Sequence, residues 1–305
     1  MIDYSHIYIS IIGFGNVGRS IMHLLLQDTT RQYSITVIDP SDEIAGSKLD
    51  LGPASFLEKR HEVHWGDKQQ LSNADFIFYS AGVSVPKGEC RDFKLHDNRE
   101  IVHREFNDVS FAQSPSIISL TNPLDAIALD ILQTTDLPAQ NVIGIGTIIE
   151  SVRFEYYLQQ KMRTGNKKIE ALVIGEHGET MVPVLSRTII NGTPIKNVLT
   201  KDQIRDIIYD VRTTPHQIKE TQNASYFAAA TAAIKVFEAL LSHSNKVMPL
   251  SVFNEQEGVF FSLPVQVSRF GIRPMMPPLE PDEQESLAFS ISKIRSMVST
   301  SVAQA

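Results

Sequence analysis

Near the start of the chain an apolar run, a glycine-rich turn and an amphipathic stretch follow one another without a break. His6–Ile12 reads HIYISII, rich in the β-branched and aromatic residues of a buried strand. Gly13-Phe14-Gly15-Asn16-Val17-Gly18 then fits G-x-G-x-x-G, and Val17–Gln27 carries Ile21, Leu24 and Leu25 at helical spacing. Each glycine has its own task. The first permits a sharp turn, the second lets backbone approach a pyrophosphate, and the third lets helix and strand pack closely. The helix N-terminus offers free N–H groups and a positive dipole end to phosphate. Gly13, Gly15, Asn16, Val17 and Gly18 are therefore the expected coenzyme contacts of this turn. A second strand-like run, Ser34–Ile38, ends in Asp39, 21 residues beyond Gly18, the spacing of a carboxylate on ribose hydroxyls. Its charge would repel a 2′-phosphate, which favours NAD over NADP. The bland alternative is a structural turn followed by a surface acid. Strand, turn, helix, strand and acid arriving in that order argue against it.

Strand and helix patterns go on alternating through the first half, as in a parallel sheet with crossover helices. A helix is expected over Asp42–Phe56, a strand over Phe76–Ser80 and a helix from Asp97 to about Ala112. Strands follow at Ser116–Leu120 and Val142–Ile145. Ligands of such sheets sit beyond the carboxyl ends of the strands, so Gly13–Gly18, Ala81–Asp92 and Thr121–Asp125 should face one crevice. From Gly146 the pattern changes to an α+β mixture. The expectations there are a helix Ile149–Met162, a strand Ile169–Ile174 and a hairpin about Asn191-Gly192. A helix opened by Thr200 should kink or end at Pro215. An alanine-rich helix Ala224–Ser242, short strands within Val247–Phe253 and Val259–Val267, and a final helix capped by Asp282 complete the chain. At 305 residues two packed units are expected, 1–146 for nucleotide and 147–305 for substrate.

The net charge of −7 argues against nucleic acid or an anionic membrane as partner. No uninterrupted apolar run approaches bilayer length, and the first residues lack a signal-type pattern. The single cysteine, Cys90, excludes an internal disulfide and fits a reducing, cytoplasmic setting. Cys90 has no flanking His or Cys and is read as incidental. The histidines lack metal-ligand spacing, so no metal is expected, and His61 and His64 are read as surface residues.

Three features can do chemistry. His177, in Gly175-Glu176-His177-Gly178, is expected to be open to its surroundings, and a histidine is the side chain suited to exchanging a proton near neutral pH. Glu150 and Arg153, three apart at a helix start, share a face. Arg91 lies on a polar loop. Singly, each has a plain reading: a turn histidine, an exposed intrahelical pair and a solvated arginine. Together with the glycine turn they resemble the L-lactate/malate dehydrogenase family across nearly the whole chain. The matching stretches are Gly13–Gly18, Ala81-Gly82, Gly88–Arg91 with Asn98 beyond, Thr121-Asn122-Pro123-x-Asp125, Gly144-x-Gly146-Thr147, Arg153-Phe154 and Gly175–Gly178.

The resemblance implies a Rossmann doubly wound parallel sheet followed by an α+β substrate domain, and reversible hydride transfer between NADH and a small 2-oxo acid. His177 would exchange the proton, Glu150 would stand for the family's Asp in supporting it, and Arg153 would fork the substrate carboxylate. Arg91 would polarise the carbonyl from a lid hinged near Gly88. Asn122 would touch both substrate and nicotinamide, Ser225 would lie by the substrate, and Ala81, Gly82 and Thr147 would line the coenzyme. Val85 falls at the specificity position, where lactate dehydrogenases carry Gln and malate dehydrogenases Arg. It offers no cation to a second carboxylate, so uncharged 2-oxo acids are expected, unless Lys87 swings inward and restores malate dehydrogenase activity. Glu155 and Glu170 stand where relatives activated by fructose 1,6-bisphosphate have Arg and His, so no such activation is expected. The extra methylene of Glu150 keeps a second class in play, a catalytically impaired NAD-binding paralogue. An NAD-dependent glycosidase on a related fold is a third. The family also implies a homodimer or homotetramer.

Overall fold

The computed structural model describes residues 6–83, 95–162, 168–222 and 225–302. The first half builds β1 (His6–Ile12), α1 (Asn16–Leu26), β2 (Gln32–Ile38), α2 (Ala45–Glu58), β3 (Glu62–Gly66), β4 (Phe76–Tyr79), α3 (Leu95–Phe106), β5 (Ser116–Ser119), α4 (Leu124–Thr134) and β6 (Val142–Gly144). The second half adds α5 (Ile148–Met162), the short strands β7 (Ile169–Glu170), β8 (Val173–Ile174), β9 (Val182–Pro183), β10 (Ile189–Ile190) and β11 (Thr193–Pro194), then α6 (Lys201–Gln222) and α7 (Phe227–Leu241). The long hairpin β12 (Lys246–Asn254) and β13 (Val259–Ser268), the edge strand β14 (Gly271–Pro274) and α8 (Pro281–Val302) close the chain.

Among the described residues the main sheet has nine strands in the order β14-β13-β12-β6-β5-β4-β1-β2-β3. From β6 to β3 every pairing is parallel, and the order reverses between β1 and β4. That reversal is the switch point at which a doubly wound sheet opens its crevice. Alternation along β1 serves both faces. Ile7, Ile9 and Ile11 enter a core with α1 and α7, while Ile12 enters the opposite core with α3 and α4.

The two halves share this sheet. The stretches expected as short strands form a hairpin of nine and ten residues, turned at Gly258 with φ +69°. β12 pairs antiparallel with β6 through Ser251 and Gly144. Helix α7, also from the second half, lies on α1, and its Phe237 meets Tyr33, Phe76 and Phe78 edge-on.

Other expectations need correction. Ile169–Ile174 is not one strand: β7 joins β10 and β11, whereas β8 pairs with β9. Between them the Ala171 N–H donates to Glu155 and the Leu172 carbonyl accepts from Val184, so the chain crosses from one small sheet to the other. Of the two outcomes expected at Pro215, α6 does not end there but runs on to Gln222. In the turn before the proline the hydroxyls of Thr213 and Thr214 donate to the carbonyls of Tyr209 and Asp210. His61 is buried rather than on the surface, because it stacks on Tyr33 at 4.9 Å and its Nε2 meets the Asp28 carbonyl at 3.0 Å. His64 is exposed beside Glu62. The turn at Asn191-Gly192 has the expected positive φ at both residues, 49° and 79°. Its strands stop after two residues, where 3-10 turns take over.

Candidate active site

The glycine turn meets the steric demands placed on it. Gly13 has φ +88°, and a Cβ there would lie 2.4 Å from the Ala81 nitrogen. A Cβ on Gly18 would lie 2.2 Å from the Gly13 carbonyl oxygen, so no larger residue lets α1 approach the turn. Gly15, by contrast, is exposed and has nothing within 4 Å of its Cβ position. Open space at the middle glycine, at the N-terminus of a helix, is the cradle that a pyrophosphate needs. Asp39, at the end of β2, is joined to this cradle: Oδ2 accepts from the Phe14 N–H at 2.6 Å and Oδ1 from the Ser41 N–H at 2.9 Å. Asn16 is exposed and Val17 half-buried at the start of α1. The residues present thus fit a dinucleotide.

Across the switch point, the Thr121 hydroxyl donates to the Ala81 carbonyl at 2.7 Å. Asn98 on α3 ties the same two loops: Oδ1 accepts from the Val83 N–H at 2.9 Å, and Nδ2 donates to the Asn122 carbonyl at 2.7 Å. Gly82 leaves room for this bridge, since a Cβ there would lie 3.1 Å from the Asn98 oxygen. Asn122 itself is exposed, just ahead of α4. Thr147 departs from expectation. It is fully buried, and its hydroxyl donates to the Val173 carbonyl at 2.5 Å, which makes it a tie between the start of α5 and β8 rather than a coenzyme contact. Val85, Lys87, Gly88, Cys90 and Arg91 lie outside the described residues. Ser225 stands half-buried two residues ahead of α7.

On the second half, Glu150 and Arg153 leave the first turns of α5 on one face. Glu150 Oε2 lies 3.2 Å from His177 Nδ1, and its Oε1 lies 3.9 Å from Arg153 Nη1. All three side chains are nearly buried, at 8%, 10% and 12% exposure for Glu150, Arg153 and His177. Burial alone would push the Glu150 carboxyl up. The charge and hydrogen bond of His177, with Arg153 behind them, outweigh burial and hold it below the usual glutamate range. A carboxylate kept ionised against Nδ1 fixes the ring's tautomer and directs proton exchange to Nε2.

The His177 loop is held from several sides. Gly175 has φ +85° and exchanges backbone hydrogen bonds with Ser262 at 2.9 and 2.8 Å. The Glu176 N–H donates to Ser290 Oγ at 2.8 Å, and the Glu176 carboxylate accepts from the Thr180 N–H. The His177 N–H donates to Asp125 Oδ2 at 3.0 Å, while Ser251 Oγ donates to Asp125 Oδ1 at 2.5 Å. Burial pushes the Asp125 carboxyl up to about 6, with the Ser251 and His177 bonds and the His177 charge offsetting part of the effect and Glu176 adding to it. Asp125 and Ser251 received no role from the sequence. Asp125 was visible as a helix-start acid after Asn122-Pro123; Ser251, inside a strand-like run, carries no local signal.

The chain matches two family models end to end: "lactate/malate dehydrogenase, NAD binding domain" over residues 7–144, and "lactate/malate dehydrogenase, alpha/beta C-terminal domain" over residues 147–305. An L-lactate dehydrogenase of Halalkalibacterium halodurans is 28% identical over 94% of this chain and 95% of its own length. A malate dehydrogenase of Methanosarcina barkeri is 26% identical over 95% of this chain and 98% of its own. The crystal structure of Cryptosporidium parvum malate dehydrogenase superposes with a TM-score of 0.87 at 26% identity, covering 97% of this chain and 98% of that one.

Proposed function

The chain belongs to the lactate/malate dehydrogenase family, and from that premise we propose that it is an L-lactate dehydrogenase-type enzyme that prefers 2-oxo acids with uncharged side chains. As a member of that family it is an NAD-dependent oxidoreductase acting on CH–OH groups of 2-hydroxy acids. The observation that supports the proton chemistry is Glu150 set between His177 and Arg153; the preference for uncharged side chains is supported by Val85 at the position where the family's specificity residue stands.

In this reading residues 1–146 hold the coenzyme, through the Gly13–Gly18 turn, Asp39, Ala81 and Gly82, and residues 147–305 hold the substrate. NADH, when bound there, would supply the hydride for the carbonyl carbon. His177 gives its Nε2 proton to the oxo oxygen and regains it in the reverse direction, which suits an imidazole at neutral pH. Glu150 stabilises the charged ring and holds its orientation. Arg153 anchors the substrate carboxylate with a planar fork, and Asn122 and Ser225 flank the bound acid. Arg91 is the cation that the resemblance assigns to polarising the carbonyl. By the resemblance Val85 falls at the specificity position and offers no cation to a second carboxylate, the basis for preferring pyruvate-like acids. The 3.2 Å contact from Glu150 speaks against an impaired paralogue, since the longer side chain still reaches the ring. We further assign the enzyme to the cytoplasm, supported by its lone cysteine, as a homodimer or homotetramer. Exposed Leu49, Phe56 and Leu57 on α2 give an apolar face in support of that assembly.

Steady-state rates with NADH against pyruvate, oxaloacetate and branched 2-oxo acids test the specificity. Pyruvate or a branched acid should exceed oxaloacetate in kcat/KM by at least roughly tenfold, as expected when a second carboxylate is buried without a partner. Oxaloacetate winning by a wide margin assigns the chain to malate instead.

A further inference from the structure

Asp125 lies in the first turn of α4, on the coenzyme side of the crevice, yet both its oxygens are bonded outside the helix. The side chain is buried, with the His177 N–H on Oδ2 and the Ser251 hydroxyl on Oδ1. One acid thus joins α4, β12 and the loop that carries the imidazole. We propose that Asp125 is a positioning residue for His177: clamped by Ser251, it fixes the proton donor of the second half at working distance from the nicotinamide side of the first.

The geometry separates this anchor from the others on the same loop. Gly175 is held by Ser262 on β13 and Glu176 by Ser290 on α8, both in the second half. Asp125 comes from the first half, three residues beyond Asn122. Its bond goes to the backbone of the working residue itself. The Glu150 contact at 3.2 Å has little slack, and a shift of about 1 Å in the loop breaks it. Misplacement of this size at a reacting group costs on the order of 10²-fold in rate. Ser251 makes the anchor stiff: β12 meets β6 at Ser251 and Gly144, where a Cβ on Gly144 would come within 2.9 Å of the Ser251 Cβ. The two bonds do not require a charge. A protonated carboxyl, or an amide, accepts from the His177 N–H with its carbonyl oxygen and donates to Ser251 Oγ with its other end. The carboxyl's upward displacement to about 6 accords with a site that accommodates the neutral form.

The proposal rests on the reading of His177 as proton donor, and the test separates the two. The variants are D125A, D125N and S251A, and the readouts are kcat and KM for the preferred 2-oxo acid, the NADH dissociation constant by fluorescence, and the His177 ring titration by NMR. D125A should lose roughly ten- to a hundredfold in kcat, within the range spanned by general acid catalysis and its alignment. Its NADH dissociation constant should stay within about twofold, because the phosphate cradle is untouched. D125N should stay within about threefold of wild type in kcat, since both hydrogen bonds survive. A purely structural role would lower the melting temperature of D125A and leave kcat per folded molecule unchanged, and that outcome overturns the proposal. If D125A does not accumulate folded, S251A carries the test: a several-fold loss in kcat at constant NADH affinity supports the clamp, and unchanged kcat refutes it. Wild-type protein inert toward every 2-oxo acid would sink the dehydrogenase reading alone. The ring titration still decides the positioning role: a midpoint lower in D125A than in D125N means the ring has left Glu150, and equal midpoints contradict the anchor.

Discussion

Two buried carboxylates stand on either side of His177, and their environments push them in opposite directions. Glu150 is held below the usual range by the facing imidazolium and Arg153, whereas Asp125 is pushed up to about 6 by burial. The signs give opposite pH dependences. The folded protein keeps a proton on Asp125 between about pH 4 and 6 that the unfolded chain has released, so this stabilisation is complete below about 4 and is lost as pH rises through 6. The contribution of Glu150 is present above the ordinary glutamate value and is lost as pH falls through its depressed one. D125N removes only the first effect. Its melting temperature should therefore rise relative to wild type between pH 4 and 7, by on the order of 2 kcal/mol in stability or several degrees. In E150Q the deficit should be largest at neutral pH and fade in acid. A D125N difference that is flat with pH contradicts the assignment for Asp125. Much at this scale was legible in the chain itself. His177 announced itself between glycines, and Glu150 with Arg153 through a three-residue spacing on one helical face. Asp125 and Ser251 did not, because they lie 126 residues apart and only the folded sheet brings them together.

At the level of elements, local pattern was legible wherever a local cause decided the outcome. The turn after β1 follows from glycine sterics, and the turn at Asn191-Gly192 from the left-handed φ that those two residues adopt readily. Tertiary context overrode pattern elsewhere. The β12–β13 hairpin outgrew its expected length because β6 and β14 lie on either side of it, and Pro215 sits inside a helix that continues on both sides. Helix α7 shows the same dependence on distant partners. Its alanines allow close approach to α1, and Phe237 fills the space against Tyr33, Phe76 and Phe78 at ring separations of 4.9 to 5.9 Å. Truncating such a residue removes its transfer energy and leaves a cavity. F237A should cost about 3–5 kcal/mol in denaturant unfolding. A loss under about 1 kcal/mol would mean that α7 is not integral to the first half's core.

Taken as a whole molecule, the chain places its coenzyme cradle and its imidazole on opposite sides of a sequence change near residue 146, yet one nine-stranded sheet runs beneath both. The glycine turn pointed to the cradle and the strand-and-helix alternation to a parallel sheet, and the α+β mixture of the second half was evident in its turn signals. The continuity of the sheet was not, because antiparallel pairing of β12 with β6 joins segments more than a hundred residues apart. In the proposed reaction the hydride would arrive from one half and the proton from the other, so function would depend on that continuity. The most direct check is single-turnover oxidation of NADH by pyruvate in wild-type and H177N protein, followed in a stopped-flow instrument. Wild type should turn over, and H177N should lose at least about 10²-fold in rate while binding NADH as before. An H177N rate close to wild type would contradict the account.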